Sequence, residues 1–298
     1  MTADLFRLEP IRGRFGDRAA QLFCYAALAL VIVFLAALLL LILSEALPAL
    51  SDPRALFGDW APAADPPRFG FAHAMISTLM ATALALLLAV PIGFGIGLFA
   101  AEIAPLWMRG LLRPGLELLA GVPSVVYGFL GYVTLVQWLE RHGGMATGES
   151  LLVAALVLAV MTLPFLAGAS AEAFAAVPRA LVEAAYAAGV TRFHVARRIL
   201  APAALPGLFA AVALGLARAI GETLAVLLLA GNSTSTPTSY LDRGQPLTAL
   251  IATELPEAGV GSGKYHALYA AGLALLLVAV ATNMLIWRLK ARALSHDR

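Results

Sequence analysis

The sequence predicts an all-α protein that crosses a membrane six times. Hydrophobic residues occupy 61% of its 298 positions, charged residues occupy 13%, and the mean hydropathy is +0.87. A soluble domain carries about 45 to 50% apolar and about 25% charged residues. Six apolar runs in the sequence reach the roughly 20 residues that a helix needs to cross the hydrocarbon layer. This balance excludes a soluble domain of this length and predicts a polytopic membrane protein.

The first apolar run, residues 22–43, is predicted to be a retained transmembrane helix. Four arginines precede it, as they would in a secretory signal peptide. The run is uncharged throughout, however, and the residues after it, Ser44, Glu45 and Pro48, do not form an A-x-A cleavage site. The apolar region of a signal peptide is about 7 to 15 residues long, which is shorter than this run.

Five further runs are predicted to span the membrane, at residues 74–100, 116–139, 151–171, 205–231 and 267–287. If the N-terminus is cytoplasmic, 14 of the 20 Lys and Arg residues fall in cytoplasmic segments, 5 fall in outer loops, and Arg218 lies inside the fifth run. The positive-inside rule therefore predicts an N-in, C-in orientation. The expected organisation is a cytoplasmic segment 1–21, a six-helix transmembrane domain 22–290 and a cytoplasmic tail 291–298.

Two glycine-containing stretches resemble nucleotide-binding loops but are interpreted otherwise. Gly93 and Gly97 have the small-xxx-small spacing of helix packing in membranes, and no strand precedes them as in a βαβ phosphate site. The stretch GVGSGKY lacks a Walker A pattern, because Ala258 and Tyr265 occupy the positions of its first Gly and its Ser or Thr. We therefore expect this chain to have no ATP-binding site of its own.

The outer loops over residues 43–73 and 232–264 are rich in Pro and in Gly, Asp, Ser or Thr, and are predicted to be connections without a core of their own. Aromatic rings near membrane boundaries commonly anchor at the interface. Four such residues are interpreted as interfacial anchors: Trp60, Phe69, Phe71 and Trp287.

The longest cytoplasmic segment between spans, about residues 172–204, is predicted to form two short helices outside the bilayer. Its residues from Arg179 to Leu200 are mostly good helix formers, with Gly189 interrupting them and Pro202 ending them. Such a helical pair is either a plain connector or a docking element for a cytoplasmic partner.

This segment resembles the E-A-A-x3-G-x9-I-x-L-P loop of ATP-binding-cassette importer permeases. The matching residues are Glu183, Ala184, Ala185, Gly189, Ile199 and Pro202, and the one departure is Ala201 in place of Leu. The resemblance implies a type I importer permease of MetI-like architecture, whose cytoplasmic loop inserts into a cleft on a separate ATPase subunit.

A narrower resemblance covers nearly the whole chain. The stretches ELLAGVPSVVYG, ARAIGETLAV and TALIATELPEA are together similar to the C-type permease (PstC) family of phosphate-specific importers. This implies a permease subunit that translocates inorganic phosphate across the bacterial cytoplasmic (inner) membrane. The implied partners are an A-type permease in a heterodimer, an ATPase dimer, an extracytoplasmic phosphate-binding protein and the lipid bilayer, with no nucleic acid. ATP and Mg would be bound by the ATPase and no cofactor by this chain.

Two charges lie deep in the fifth apolar run, where ionised groups are costly. Arg218 and Glu222 are four residues apart, so they are expected on one face of a helix near the middle of the span. Each ionised residue at a helix centre costs roughly 2.5 to 3.5 kcal/mol to insert, and pairing offsets part of that cost. They are either a structural ion pair or part of the substrate pathway, where a guanidinium meets an oxyanion bidentately.

Other functions remain as alternatives. A related importer permease could carry another oxyanion, such as molybdate or sulfate. A passive channel would need no ATPase-coupling loop. A membrane enzyme is disfavoured because all five histidines lie in loops or at span edges and there is no H-E-x-x-H, so we predict neither a catalytic residue nor a metal site.

Overall fold

The computed structural model describes residues 14–51, 57–144 and 146–295, and these residues are mostly helical. The first half of the chain forms α1 (Arg14–Leu50), α2 (Ala72–Leu98), α3 (Leu106–Gly121), α4 (Ser124–Gly131), α5 (Gln137–His142) and α6 (Leu151–Ala175). The second half forms α7 (Arg179–Ala187), α8 (Arg192–Val195), α9 (Ala201–Ile220), α10 (Leu224–Leu229), α11 (Leu247–Glu254) and α12 (Gly263–Ser295). Short π-helical turns, Phe99–Ile103, Tyr132–Val136 and Ala196–Leu200, extend or join these helices.

The number of spans agrees with the sequence prediction when one bent helix pair is counted as a span. Five helices in the described residues are long and apolar enough to cross a membrane: Ala20–Leu50, Ala72–Ile103, Leu151–Ala175, Arg192–Ile220 and Gly263–Ala293. The sixth candidate is the pair Leu106–Gly121 and Ser124–His142, whose two parts meet at 86°. The all-α, six-span prediction is confirmed in this sense.

The third span was predicted as one helix over residues 116–139, and the structure breaks this helix between Gly121 and Ser124. The chain bends between α3 and α4 because Pro123 lacks a backbone N–H and disfavours a helical conformation at Val122, which is extended here. The predicted span therefore contains the end of one helix and the start of another that points in a different direction. Helix α3 runs nearly at right angles to α4, with Leu106 and Trp107 exposed on its surface.

The predicted fifth span, residues 205–231, is interrupted. Helix α9 ends at Ile220, α10 begins at Leu224, and the three residues between them leave the helical path. In contrast, the sequence suggested that Pro202 ends the cytoplasmic helical segment, and in the structure it does not. It lies just after the π-helical turn Ala196–Leu200, where the backbone hydrogen-bonding pattern already departs from that of an α-helix, and α8, this turn and α9 form one continuous helix from Arg192 to Ile220.

The central packing contact joins α2 to α6, the most buried of the candidate spans. A Cβ atom added to Gly93 would lie 2.8 Å from Leu166 Cβ, and one added to Gly97 would lie 2.5 Å from Ser170 Cβ. The two helices therefore approach so closely that only glycine fits at both positions. The packing interpretation of this glycine pair is confirmed.

The outer loops do have a core, contrary to the sequence prediction. Trp60 and Phe71 are buried together with Leu247 and Leu250 of α11 and Leu268 of α12. A two-stranded antiparallel ribbon, Trp60–Ala61 with Arg68–Phe69, supports this cluster but leaves the fold class all-α. The apolar face of α11 explains the difference, because it gives the aromatic side chains a partner within the loops. Trp60 and Phe71 are thus core residues rather than interfacial anchors.

The first and last helices extend beyond the predicted bounds of the transmembrane domain. Helix α1 already begins at Arg14, and α12 continues to Ser295, so the segment boundaries at residues 21 and 290 fall inside helices. The remainder of the predicted terminal segments, residues 1–13 and 296–298, lies outside the described residues. Helix α1 packs against α12 and otherwise presents exposed apolar side chains, as expected of a helix facing lipid.

Gly97→Ala should destabilise the protein because the new methyl group would overlap Ser170 and the backbone of Ala171. Overpacking of this kind costs about 1 to 3 kcal/mol. Gly95→Ala is the matched control, since no described atom outside its own helix lies within 4 Å of that position. We expect a lower apparent Tm in detergent for Gly97→Ala and an unchanged or higher one for Gly95→Ala. Equal Tm values for the two variants would contradict the packing account.

Candidate functional site

Arg218 and Glu222 form an ion pair, although not on one uninterrupted helix in mid-span. Arg218 lies in the last turn of α9, and Glu222 follows the end of that helix. Arg218 Nη1 lies 3.1 Å from Glu222 Oε2, and the side chains are 36% and 3% exposed, respectively. The predicted pair is therefore present, with its carboxylate buried and its guanidinium partly accessible.

Glu222 also supports the interruption of the fifth span. Its Oε1 accepts a hydrogen bond from the backbone N–H of Ala225 in the first turn of α10, at 3.4 Å. Its carbonyl oxygen accepts a hydrogen bond from Thr248 Oγ1 of α11, at 2.8 Å. Backbone groups freed by a helix break have no water to bind in the hydrocarbon region, so they need partners within the protein. Sequence reasoning missed Thr248, because nothing in the spacing links it to Glu222.

The guanidinium of Arg218 keeps unused donor capacity. Its Cζ lies 5.7 Å from the centre of the Phe165 ring, within the range of a cation–π contact. Its Nε is buried and has no hydrogen-bond partner among the described residues. Buried donors are nearly always paired, and a guanidinium carries five N–H groups arranged for bidentate acceptors. The guanidinium therefore has donor capacity beyond its contact with Glu222, and its exposed part, rather than the buried Nε, is open to a ligand.

A cavity of about 520 Å³ lies beside the pair, between α3 and the second half of α6. Phe165, which contacts Arg218, and Leu214 belong to its apolar wall. The charged residues around it are Arg109, Arg113, Glu117, Glu172 and Arg179. Phe165 thus contacts the Arg218 guanidinium and also lines a cavity rich in arginine.

The predicted pair of short cytoplasmic helices is present as α7 and α8, with Gly189 between them. Gly189 has a φ of +78°, a left-handed conformation that glycine adopts without strain. The turn is closed by two backbone hydrogen bonds, from Gly189 N–H to Tyr186 O at 3.0 Å and from Val190 N–H to Ala185 O at 3.1 Å. This closure fixes the angle between the two helices.

The remaining residues of the predicted coupling loop divide into exposed and packed positions. Glu183 and Ala184 are exposed, and so is Pro202 at the start of α9. Ala185 is buried, and Ile199 is half-buried against the same apolar cluster. The loop therefore presents one face outward and holds its shape through the other.

Two features of this loop were not found from the sequence. Phe193, at the start of α8, is 76% exposed, and Leu181 of α7 is 52% exposed, which leaves apolar side chains on a surface outside the predicted bilayer. In addition, Glu102 at the end of α2 binds both Arg179 and Tyr186 of α7. These partners are 77 and 84 residues away in sequence, so no local pattern could have indicated them.

No group of three or more His, Cys, Asp or Glu side chains comes together as a metal site among residues 14–51, 57–144 and 146–295. Ionisable side chains do pair among these residues, and the Arg218 pair and the Glu102 group are two of the places where they do so.

Comparison with known families gives a match over most of the chain. Residues 93–294 match the family model described as binding-protein-dependent transport system inner membrane component. The probable ABC transporter permease protein YqgH of Bacillus subtilis is 37% identical, covering 96% of this chain and 92% of that protein. The phosphate transport system permease protein PstC of Haemophilus influenzae is 36% identical, covering 74% of each.

Solved structures share the fold. A chain of a bacterial alginate ABC transporter, in complex with an alginate-bound periplasmic protein, superimposes with a TM-score of 0.66 at 18% identity, covering 93% of this chain and 96% of that one. A chain of the inward-facing MetNI methionine ABC transporter gives a TM-score of 0.54 at 20% identity, covering 75% and 94%. The MetI-like architecture expected from the cytoplasmic loop is confirmed.

Glu222→Ala should destabilise the protein more than Glu117→Ala. Both carboxylates pair with an arginine four residues earlier at 3.1 Å, but the Glu222 side chain is 3% exposed and that of Glu117 is 67% exposed. Removing the buried partner leaves Arg218 uncompensated and frees the Ala225 N–H, at a cost of about 1 to 3 kcal/mol after allowing for the partial exposure of Arg218. We expect an apparent Tm several degrees lower for Glu222→Ala and a nearly unchanged one for Glu117→Ala. Similar losses in both would contradict a special role for the buried pair.

Proposed function

Because the chain belongs to the family of binding-protein-dependent transport system inner membrane components, we propose that it is the permease subunit of an ATP-driven importer of inorganic phosphate. It is a multi-pass membrane protein and a transporter subunit, not an enzyme. The observation that carries the proposal is the continuous helix Arg192–Ile220, which has the cytoplasmic loop at one end and Arg218 at the other. The relative named PstC supports phosphate as the cargo.

Arg218 is the residue proposed to meet the anion. Phosphate presents several acceptor oxygens in a geometry that a guanidinium binds bidentately, and the Arg218 side chain is partly accessible. Glu222 balances the charge when no anion is present, which lowers the cost of keeping an arginine at this depth. Arg218 and Glu222 would then form part of the substrate pathway.

The cytoplasmic loop is proposed to dock on an ATPase. Its exposed positions, including Glu183 and Ala184, lie on a rigid pair of helices closed at Gly189. Exposed Leu181 and Phe193 add the apolar area that a protein partner would cover. ATP and Mg would be bound and used by that ATPase and not by this chain.

Membership of the family implies an ATPase and a substrate-binding protein as partners. We further propose that the chain pairs with an A-type permease in a heterodimer, in the cytoplasmic (inner) membrane with both termini inside. The positive-inside distribution of Lys and Arg supports this orientation. The binding protein would then deliver phosphate to the outer face formed by α11 and its loops.

The second candidate cargo is another oxyanion, molybdate or sulfate, because a guanidinium binds any of them by the same hydrogen bonds. A passive channel would have no use for a helical loop joined rigidly to the substrate pathway. Selection among oxyanions would be made largely by the separate binding protein.

Arg218→Gln should lower ATP-dependent uptake of labelled phosphate by about 10- to 100-fold, because hydrogen bonds to a charged group are worth about 1.5 to 3 kcal/mol. The assay uses the assembled complex in vesicles, with molybdate and sulfate as competitors and co-purification of the ATPase as the measure of assembly. Arg68→Gln is the control, since Arg68 is exposed in the outer ribbon and pairs with the exposed carboxylate of Asp59. Unchanged uptake in Arg218→Gln would contradict the role of Arg218. If unlabelled sulfate reduced the uptake and unlabelled phosphate did not, phosphate would be contradicted as the cargo.

Gly189→Val should weaken association with the ATPase. A β-branched residue is strained at a φ of +78°, although no described atom lies within 4 Å of the new Cβ, so the effect would come from the backbone of the turn. A cost of about 1 to 2 kcal/mol corresponds to roughly 5- to 30-fold weaker binding if docking needs this turn. Gly110→Val is the control, because Gly110 is in helix α3 and also has open space around it. The affinity of each variant for the ATPase is measured by titration. Equal affinities for Gly189→Val and Gly110→Val would contradict docking through the turn.

A further inference from the structure

We propose that Glu102 is a positioning residue that fastens the coupling helix α7 to the second span, so that movement of α7 is passed to α2. Glu102 lies in the π-helical turn Phe99–Ile103 that extends α2. The inference rests on the proposed function, because it assigns Glu102 a part in ATP-driven transport. It concerns a side chain that neither the cytoplasmic loop motif nor the Arg218 pair includes.

One carboxylate holds both ends of α7. Glu102 Oε2 lies 2.8 Å from Arg179 Nη1, at the first residue of the helix. Glu102 Oε1 accepts a hydrogen bond from Tyr186 Oη at 3.2 Å, one residue before the helix ends. Arg179 and Tyr186 are seven residues apart, so they lie on the same face two turns from each other. Helix α7 therefore cannot tilt away from α2 without breaking one of these contacts.

The Glu102 carboxylate is shielded from water more than that of the other cytoplasmic ion pair of the described residues, although its partner Arg179 is 56% exposed. The Glu102 side chain is 15% exposed, whereas Arg113 and Glu117 are 83% and 67% exposed. Burial, followed by the charge and hydrogen bond of Glu102, raises the pKa of the Tyr186 hydroxyl above its ordinary value. The tyrosine therefore remains a neutral donor to the carboxylate. Charge-assisted hydrogen bonds in such an environment are stronger than exposed ion pairs.

Glu102 connects α7 to the most tightly packed part of the protein. Helix α2 is locked to α6 at Gly93 and Gly97, so a force on the end of α2 acts on both helices together. Otherwise α7 is held by the short chain segment after α6 and by apolar contacts of Val182 and Ala185. Apolar contacts alone resist sliding weakly, because they have little directionality. The carboxylate supplies the directional link.

The loop thus has two connections to the membrane part of the protein. Helix α8 continues into α9 and reaches Arg218, whereas α7 reaches α2 through Glu102. If only the connection through α8 and α9 existed, ATP-driven movement of the loop would move α9 while α2 and α6 stayed in place. With both connections, α9 and the α2–α6 pair, which contribute Leu214, Ala101 and Phe165 to the lining of the cavity, receive the movement together.

The test uses Glu102→Gln in the assembled importer. Neutralising the carboxylate should leave ATP hydrolysis within about twofold of wild type, while phosphate imported per ATP falls about three- to tenfold, in the range found for residues that transmit coupling. Amide hydrogen exchange over residues 179–187 should become at least about threefold faster, because α7 opens locally more often. Tyr186→Phe, which removes one donor and keeps the ring, should show the same changes to a smaller degree.

A charge swap separates transmission from simple destabilisation. The double variant Glu102→Arg with Arg179→Glu should restore most of the import per ATP and slow the exchange of α7 again. Asp59→Asn is the matched control, because it neutralises the carboxylate that pairs with exposed Arg68 at the outer ribbon, and it should change neither quantity.

Two results would overturn the proposal. One is an unchanged ratio of import to hydrolysis together with unchanged exchange in Glu102→Gln. The other is a parallel loss of hydrolysis and import that the charge swap does not restore, which would indicate a structural role only. If the wild-type complex did not import phosphate at all, the proposed function would fail. The exchange measurement would still decide whether Glu102 holds α7, since it does not depend on the cargo.

Discussion

The position of the Glu222 carboxylate is the constraint on which the rest of the site depends. It lies where the fifth span is interrupted, accepts the backbone N–H of Ala225 and pairs with Arg218. In a membrane, a helix break is tolerated only if the freed backbone groups are bound within the protein. Glu222 and Thr248 supply those partners, and the same carboxylate balances the charge of Arg218. The interruption of the span and the proposed anion site therefore depend on one side chain.

Cytoplasmic movement can reach this site because the chain stays helical where a break was expected. Pro202 falls in the first turn of α9, so the helix that begins at Arg192 in the loop ends beside Arg218. The second link, through Glu102, is made by side chains rather than by continuous backbone. A continuous helix transmits movement through covalent bonds, whereas an ion pair is a noncovalent contact that can break. The two links thus differ in strength as well as in the helices that they reach.

Much of the architecture could be predicted from the sequence, and the exceptions have identifiable causes. Apolar length fixed the number of spans, and the spacing of Gly93 and Gly97 indicated the contact of α2 with α6. The breaks near Pro123 and Glu222 were missed because hydropathy summed over about 20 residues does not register three residues that leave a helix. The Glu102 group and the outer core around Trp60 were missed because their partners are far away in sequence. Contacts of that kind are set by tertiary packing and not by local propensity.

The uninterrupted helix from the loop to Arg218 also acts as a lever arm. Its 26 residues of separation correspond to roughly 39 Å at a rise of about 1.5 Å per residue. A tilt of about 5° about its cytoplasmic end would sweep Arg218 sideways by about 3 Å, which is as long as its contact with Glu222. Glu222, beyond the break, is tied to α11 through Thr248 and need not follow. A tilt of this size would therefore suffice to separate the guanidinium from its carboxylate.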